Sequence, residues 1–225
     1  MIDQSIQELI DLYNSGKLDI AEKKITGLLK KNPKSFVLYN LFGTILIDKK
    51  NFNQALVNYK KSLEINPNYA EGHNNLGIAF YKLGKFNESI DSYQQAIKIK
   101  PNFSKAHNNL GLAYKELEKF NESINSFQNA IKIDPSYAEA YNNLGVNFKQ
   151  LGKLNDSINS YQKAIKINPK YAEAYNNLGN IYNSNQKIDD AISNYKKEIK
   201  LNANFIETYS NLGNLLKEIG AVEEA

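Results

Sequence analysis

Carboxamide side chains recur along the sequence at a fixed spacing of 34 residues. One set comprises Asn75, Asn109, Asn143, Asn177 and Asn211, and its first four members are each preceded by another asparagine. A carboxamide offers both a hydrogen-bond donor and an acceptor, the two groups that the backbone of an extended peptide presents in alternation. If the intervening residues bring one set onto a common surface, that surface is predicted to hold a peptide backbone.

The two histidines, His73 and His107, are separated by the same spacing. Other copies carry tyrosine at the equivalent position, so we expect imidazoles packed in the core and hydrogen-bonded rather than metal ligands or catalytic bases. The sequence contains no cysteine, which excludes disulfides and thiolate metal sites. No nucleophile–base pair or phosphate-binding loop stands outside the repeated pattern. We therefore predict that the chain is not an enzyme and has no catalytic residues, metal or cofactor.

The elements that must position the asparagines can be derived from the unit 138–171, numbered from Ala138 as position 1. Its positions 4, 7, 8 and 11 hold Tyr141, Leu144, Gly145 and Phe148, the spacing of one helix face. Gly152 is predicted to end this helix in the left-handed conformation, and Asn155 to cap a second helix. The second helix is predicted to end before Pro169. Each unit is thus an αα-hairpin.

Capping signals mark where the next first helix begins. Asn68–Glu71, Ser136–Glu139 and Asn204–Glu207 each fit the pattern of a capping box. The equivalent pair in the fourth repeat ends in Lys105, which breaks the pattern. Lys105 is therefore a candidate for a role other than capping.

A helical wheel of the first helix places positions 2, 6, 9 and 13 opposite the packed face. Position 6 carries the asparagine set, while position 5 is expected to lie toward the edge of that surface. Position 9 is apolar in the central repeats and becomes asparagine further along the chain. The predicted peptide-binding residues are Asn75, Asn109, Asn143, Asn177, Asn211, Lys105, Leu112, Val146 and Asn180.

The repeat has aromatic residues at positions 4, 11 and 24, Leu-Gly at 7 and 8, a small residue at 20, Ala at 27 and Pro at 32. This pattern resembles the tetratricopeptide repeat (TPR) family. The resemblance implies an all-α, right-handed superhelical solenoid of antiparallel helix pairs, with the first helices lining a concave groove. The stretches AEAYNNLGN and NLGNLLKEIGAVEEA also resemble repeats of O-linked N-acetylglucosamine transferases. That resemblance implies a groove holding protein substrates for a catalytic domain, which this sequence does not contain.

The spacing predicts a single solenoid over residues 1–225. Its repeats are 2–35, 36–69, 70–103, 104–137, 138–171 and 172–205, followed by a partial repeat, 206–225. Glu198 replaces an alanine of the other repeats, and because a buried carboxylate is costly we expect its side chain to reach water or the hairpin to open slightly. The final helix is expected to leave Leu212, Leu215, Leu216 and Ile219 uncovered. This arrangement suggests a longer protein, a partner at this end, or a homodimer through it.

Composition bears on the classes of partner. The net charge is +4 and all 28 basic residues are lysines. Because guanidinium groups are preferred for base and phosphate recognition, their absence disfavours a nucleic-acid partner. No segment has the length and apolarity of a membrane span, and the N-terminus lacks the features of a signal peptide. A cytoplasmic location is therefore expected, with no membrane partner.

The leading hypothesis is a protein–protein interaction module that binds an extended peptide or protein partner in its concave groove. It could be the substrate-recruiting N-terminal part of a larger modifying enzyme such as a glycosyltransferase. The alternative is a free-standing scaffold that assembles a complex through its convex or end surfaces. Each asparagine also has a simpler interpretation, in which it belongs to the general repeat pattern and bonds locally or to water.

Overall fold

A computed structural model describes residues 2–202 and 206–223. Over these residues the chain forms thirteen α-helices and no strands. The helices are α1 Ile2–Asn14, α2 Leu18–Lys31, α3 Phe36–Asp48, α4 Phe52–Ile65, α5 Ala70–Lys82, α6 Phe86–Ile99, α7 Ser104–Glu116, α8 Phe120–Ile133, α9 Ala138–Gln150, α10 Leu154–Ile167, α11 Ala172–Ser184, α12 Ile188–Leu201 and α13 Ile206–Glu223. The chain divides into two compact units, residues 1–119 and 120–225. Unit 1 contains α1 to α7 and unit 2 contains α8 to α13.

The helix boundaries follow the 34-residue spacing. The first helices α3, α5, α7, α9, α11 and α13 begin at the residues where the sequence places the start of a repeat. Gly152 follows α9 with φ of +70°, which confirms its predicted left-handed conformation. The equivalent position is Lys50 in the second repeat and Gln186 in the sixth, with φ of +59° and +57°. The backbone of this turn is therefore kept even where glycine is absent.

The predicted capping residues are wrong at several helix starts. Helix α10 begins at Leu154, so Asn155 lies inside its first turn, and no side chain caps it. The residues preceding α5 and α9 are Tyr69 and Tyr137, not the predicted Asn68 and Ser136, and neither caps through its side chain. The third predicted cap, Asn204, lies outside the described residues.

The turns between repeats use a different local bond. The Oδ1 atom of Asn66 accepts a hydrogen bond from the backbone N–H of Asn68 at 3.2 Å. In the same way, Oδ1 of Asp134 accepts from the backbone N–H of Ser136 at 3.0 Å. Both are Asx turns across a proline. They explain the failed capping boxes, because the turn is fixed by the residue before proline and the helix then starts one residue later.

A contact between glycine and tyrosine sets the helix separation in the hairpins. A Cβ atom placed on Gly145 would lie 2.7 Å from the ring of Tyr161, and one on Gly77 would lie 2.5 Å from the ring of Tyr93. Gly43 and Gly179 face the rings of Tyr59 and Tyr195 in the same way. Carbon atoms do not approach so closely without displacement. Only glycine therefore permits the observed packing of these rings, which are almost fully buried.

Glu198 contradicts the expectation that its side chain reaches water, because it is fully buried. Its Oε2 atom accepts a hydrogen bond from Nδ2 of Asn176 at 2.9 Å and another from Oγ1 of Thr208. These donors lie on α11 and α13, on either side of α12. These donors replace the hydration of Oε2 alone, since Oε1 is buried with no hydrogen-bond partner in the described part of the chain.

The final helix is better covered than the sequence predicted. Leu215 is 1% exposed and packs against Ala191 and Tyr195 of α12, so the prediction is wrong for this residue. Leu212 is partly buried against the same cluster. Leu216 is 48% exposed, as expected. The second helix of the sixth repeat thus covers one side of α13.

The glycine–tyrosine contact can be tested by adding a methyl group. Gly145→Ala should destabilise the protein by about 1–3 kcal/mol, because the methyl overpacks against the Tyr161 ring. Gly27 lies within α2, where a Cβ atom would have no neighbouring atom within 4 Å, and Gly27→Ala is the matched control. The control should stabilise the protein by about 0.5–1 kcal/mol, because alanine is the better helix former. Urea unfolding followed by circular dichroism measures both; similar effects of the two substitutions would contradict the contact.

Burial of the tyrosine rings also predicts a loss of stability at alkaline pH. Burial raises the pKa of Tyr161 to about 12. Because this pKa exceeds the unfolded value of about 10, the associated stability is fully present below pH 10 and is lost as the pH rises through about 12. Between pH 9 and pH 12 the wild type should lose roughly 2 kcal/mol more than Tyr161→Phe. Urea midpoints of both proteins measure this difference, and parallel pH profiles would refute it.

Candidate functional site

The predicted binding residues lie on first helices and are described separately for each unit. We call the side chains at positions 2, 6, 9 and 13 of the first helices in one unit the first-helix face of that unit. Unit 1 contributes Asn75, Asn109, Lys105 and Leu112, and unit 2 contributes Asn143, Asn177, Asn211, Val146 and Asn180. All are half-buried except Lys105, which is exposed.

Three position-6 amides connect their first helix to position 5 of the preceding first helix of the same unit. Nδ2 of Asn75 donates to Oδ1 of Asn40 at 3.0 Å, across α5 and α3. Asn109 donates to Asn74 at 2.9 Å in the same way. In unit 2, Asn177 donates to Asn142 at 3.1 Å. The row therefore has a structural role in addition to the predicted binding role.

The accepting asparagines occupy position 5, and they do not lie at the edge of the surface as predicted. Asn74 is 6% exposed and Asn142 is fully buried, because each side chain points toward the neighbouring first helix. Their own amide groups find further partners: Nδ2 of Asn142, for example, donates to Oε1 of Glu173 at 3.1 Å. Position 5 therefore supplies buried inter-repeat contacts rather than ligand contacts.

The inter-repeat bond uses only part of the amide in two of the position-6 side chains, Asn109 and Asn177. An amide has two N–H groups and a carbonyl oxygen, and the bond from Asn109 to Asn74 uses a single N–H. Asn177 is engaged in the same way with Asn142. Each of these two side chains keeps its carbonyl oxygen and its second N–H, held in a fixed orientation by the bond.

The glutamates at position 2 already have partners. Oε1 of Glu71 lies 2.8 Å from Nζ of Lys100, and the hydrogen bond from this ammonium group holds the pKa of Glu71 below its usual value. Glu173 accepts the bond from Asn142. Lys105 occupies the equivalent position in the fourth repeat and is exposed. Charge recognition at position 2 would therefore come from this lysine rather than from these glutamates.

Asn180 is used inside the protein. Its Nδ2 donates to Oδ1 of Asn176 at 2.8 Å, and its Oδ1 accepts from the Tyr195 hydroxyl at 2.8 Å and from Asn211 at 3.2 Å. Asn211 thus meets position 9 of the preceding repeat, whereas Asn177 meets position 5. The acceptor oxygen Oδ1 of Asn176 is already bonded to Nδ2 of Asn180, and its Nδ2 is directed toward Glu198 and Thr208. The amide pattern at this end of unit 2 therefore differs because asparagine replaces an apolar residue at position 9.

The histidines are hydrogen-bonded as predicted, but both are half-buried rather than packed in the core. Nε2 of His73 lies 2.9 Å from the carbonyl oxygen of Pro67, and Nε2 of His107 lies 3.1 Å from that of Pro101. At the same position, the Tyr175 hydroxyl donates to the carbonyl oxygen of Pro169 at 3.4 Å. Position 4 therefore braces the turn before its own helix. No group of three or more metal-ligating side chains is found among the described residues.

A small apolar pocket is a feature that the sequence predictions missed. It lies between α1 and α3 in unit 1, has a volume of about 40 Å³, and is lined by Leu9, Ile10, Tyr13, Leu41, Thr44 and Ile45. The sequence signal was Leu41, which stands at position 6 where the following repeats have asparagine. Without the amide, α1 and α3 meet through apolar side chains at this point.

Tandem helical hairpins joined through their first helices define a helical-repeat protein. The family described as TPR repeat matches residues 43–84, 79–118, 113–150, 147–186 and 179–220. The chain belongs to this family. The predicted fold class, an all-α solenoid of antiparallel helix pairs, is confirmed, and TPR repeats identify a protein–protein interaction scaffold.

Solved structures with this fold support the assignment. MamA is similar with a TM-score of 0.63 and 29% identity, covering 71% of this chain and 93% of MamA. PilW, a type IV pilus biogenesis factor, is similar with a TM-score of 0.83 and 19% identity, covering 95% of this chain and 97% of PilW. YrrB, described as a TPR protein with an unusual peptide-binding site, is similar with a TM-score of 0.61 and 19% identity, covering 83% of this chain and 96% of YrrB. The last two likenesses show the fold alone.

Two comparisons gave negative results. No curated protein sequence matches the chain. Among the described helices, none combines the length and the apolarity required to cross a membrane.

The bond between Asn74 and Asn109 can be measured with a double-mutant cycle. Asn74→Ala, Asn109→Ala and the double variant should give a coupling free energy of about 1 kcal/mol, the usual contribution of a net hydrogen bond. Asn109→Ala alone should cost more than the coupling, because it leaves the buried oxygen of Asn74 without its donor. Urea unfolding supplies the free energies. Additive effects of the two single substitutions would show that the bond contributes nothing.

Proposed function

We propose that the protein binds an extended peptide, or an extended segment of a protein partner, along the first-helix faces of its units. The observation that carries this proposal is the state of the position-6 amides. Asn109 and Asn177 are fixed by one inter-repeat bond, and each keeps a carbonyl oxygen and an N–H for a further partner. Because this orientation exists before binding, less entropy is lost when a peptide docks.

The neighbouring side chains supply the other requirements of peptide recognition. Leu112 and Val146, at position 9, are half-buried and form an apolar floor beside the amide row of their respective units. Such a floor accepts apolar side chains of a ligand, while the amides bind its backbone. Lys105 is exposed at position 2 and favours an acidic ligand residue nearby. Asn75 and Asn143 complete the proposed row.

Two external observations bear on the identity of the ligand. The peptide-binding site described for YrrB belongs to a protein that shares only the fold, so it supports peptide binding as a capability of such repeats. The resemblance to O-linked N-acetylglucosamine transferase repeats favours a protein substrate delivered to a catalytic domain. The full-length gene product tests that second idea, because it either contains such a domain or does not.

The test uses a library of unstructured fifteen-residue peptides of random sequence and the full chain. Asn109→Ala should weaken peptides that bind unit 1, and Asn177→Ala those that bind unit 2, about tenfold in each case, because each removes a hydrogen-bonding group from the ligand surface of its unit. Fluorescence anisotropy with labelled peptides gives the dissociation constants. Circular dichroism at the same temperature verifies that each variant is folded.

Asn74→Ala is the matched control for Asn109→Ala. It removes the same inter-repeat bond from its buried side and takes no atom from the ligand surface. Asn74→Ala should therefore weaken binding less than Asn109→Ala, because it releases the orientation of the Asn109 amide but leaves its hydrogen-bonding groups in place. Equal losses of peptide affinity in both variants would indicate that Asn109→Ala acts by weakening the structure rather than by removing a ligand contact. Unchanged binding in the position-6 variants would instead favour the alternative scaffold, which uses the outer surfaces of the second helices or the end surfaces.

A further inference from the structure

The apolar pocket between α1 and α3 lies on the first-helix face of unit 1. We propose that this pocket binds one branched aliphatic side chain of the peptide ligand, and that the Asp48 carboxylate at its rim binds a lysine or arginine next to it. The inference rests on the proposed function, since it names the part of the same face that selects the ligand sequence. It assigns chemistry to residues that the asparagine pattern does not include.

The polar atoms of the pocket lining are already hydrogen-bonded, so the occupant must be apolar. Oγ1 of Thr44 donates to the carbonyl oxygen of Asn40 at 3.2 Å and accepts from the Tyr59 hydroxyl at 3.3 Å. The Tyr13 hydroxyl is engaged by Asp48, and burial together with this bond raises the pKa of Tyr13 to about 12. The remaining walls are aliphatic: Leu9, Ile10, Leu41 and Ile45. A site without available polar partners does not hold an ordered water.

The pocket occurs where the amide connection between first helices is missing. The bond from Asn75 to Asn40 joins α5 to α3. One repeat earlier, the corresponding positions hold Leu41 and Ile6, which pack into the apolar cluster of the first hairpins. The replacement removes the polar lining at this point and leaves a gap of about 40 Å³. The size suits part of an aliphatic side chain rather than an aromatic ring.

The pocket also continues the apolar row of the proposed peptide site. Ile10 and Thr44 line the pocket, and both occupy position 9 of their repeats. Ile78 and Leu112 hold the same position in the next two repeats and are half-buried. A peptide whose backbone meets the amides of α5 and α7 can therefore extend toward α1 and place a side chain in the pocket.

Charge at the rim favours a basic neighbour in the ligand. Asp48 is the last residue of α3 and is exposed. Lys49, the next residue, is paired with both Asp19 and Glu22. Within the described part of the chain, no ion pair involves Asp48. Its carboxylate is bonded to a neutral hydroxyl, so its charge can attract a ligand cation.

The experiment is a positional scan with unstructured ten-residue peptides and the full chain. The wild type should select Leu, Ile or Val at one position and Lys or Arg beside it. Exchanging the selected aliphatic residue for alanine should weaken binding about ten- to hundredfold, the loss expected for one buried aliphatic side chain. Fluorescence anisotropy of single labelled peptides measures each ratio.

Two variants alter the pocket in different ways. Leu41→Asn introduces the residue that the next repeats carry at this position, and it should abolish the discrimination between aliphatic and alanine peptides. Ile10→Phe should fill the pocket and reduce the same discrimination. Asp48→Asn should remove the preference for a basic neighbour. Val57→Asn, at a residue of α4 that is 61% exposed, is the control and should change no preference.

The outcomes separate this inference from the function on which it rests. Loss of binding in Asn109→Ala with unchanged preferences in Leu41→Asn and Ile10→Phe would overturn the pocket and support the amide row. Loss of aliphatic preference in both pocket variants, with no effect of Asn109→Ala, would support the pocket and overturn the amide row. A library from which the wild type selects no peptide would overturn both.

Discussion

The close contact between a helix glycine and a buried tyrosine ring is the constraint on which the rest of the structure depends. In the hairpin of Gly145 and Tyr161, a Cβ atom on the glycine would lie 2.7 Å from the ring. This contact sets the separation of the two helices and recurs at the same repeat positions in four hairpins of the described chain. Because the hairpins share one geometry, equivalent side chains of neighbouring first helices come into register. The regular bonds between asparagines follow from that register.

The asparagine pairs then divide two tasks between adjacent positions. The position-5 member, such as Asn74, is buried and accepts a bond from the next repeat. The position-6 member, such as Asn109, donates that bond and remains half-exposed. One pair of similar residues thus stabilises the contact between repeats and fixes the orientation of the amide that we propose as a ligand contact. Where an apolar pair replaces it, between α1 and α3, a pocket forms instead.

The repeat geometry could be predicted from the sequence because its signals are periodic. Helix starts such as Ala138 and the left-handed Gly152 followed from the spacing alone. Predictions failed where one side chain competes with another. Asn155 looked like a cap, but the helix begins at the residue before it. Glu198 was expected to reach water, because nothing in its own repeat indicated that Asn176 and Thr208 would supply donors.

The location of the candidate site was predictable, but its internal bonding was not. A helical wheel places Asn109 opposite the packed face of its helix, yet it cannot show that Asn74 is the acceptor, since that depends on the distance between two helices. The same limit applies to Asn180, which looked available and instead holds three hydrogen bonds. The pocket beside Leu41 is also a product of tertiary packing. Its trace in the sequence is a pair of apolar residues, Ile6 and Leu41, at positions where the following repeats have asparagine.

The buried carboxyl group of Glu198 has a consequence for how such an array can evolve. Its donors come from the preceding helix and from the following one, so three consecutive helices are matched to one another. The three central repeats have alanine there and are interchangeable at that contact. A duplication or recombination that moved 172–205 elsewhere would carry Asn176 along but separate the acid from Thr208. The three central repeats have Gly72, Ala106 or Ala140 at the position of Thr208, and none of these has a side-chain donor. This segment is therefore fixed in its order along the chain, whereas alanine-bearing copies remain free to multiply.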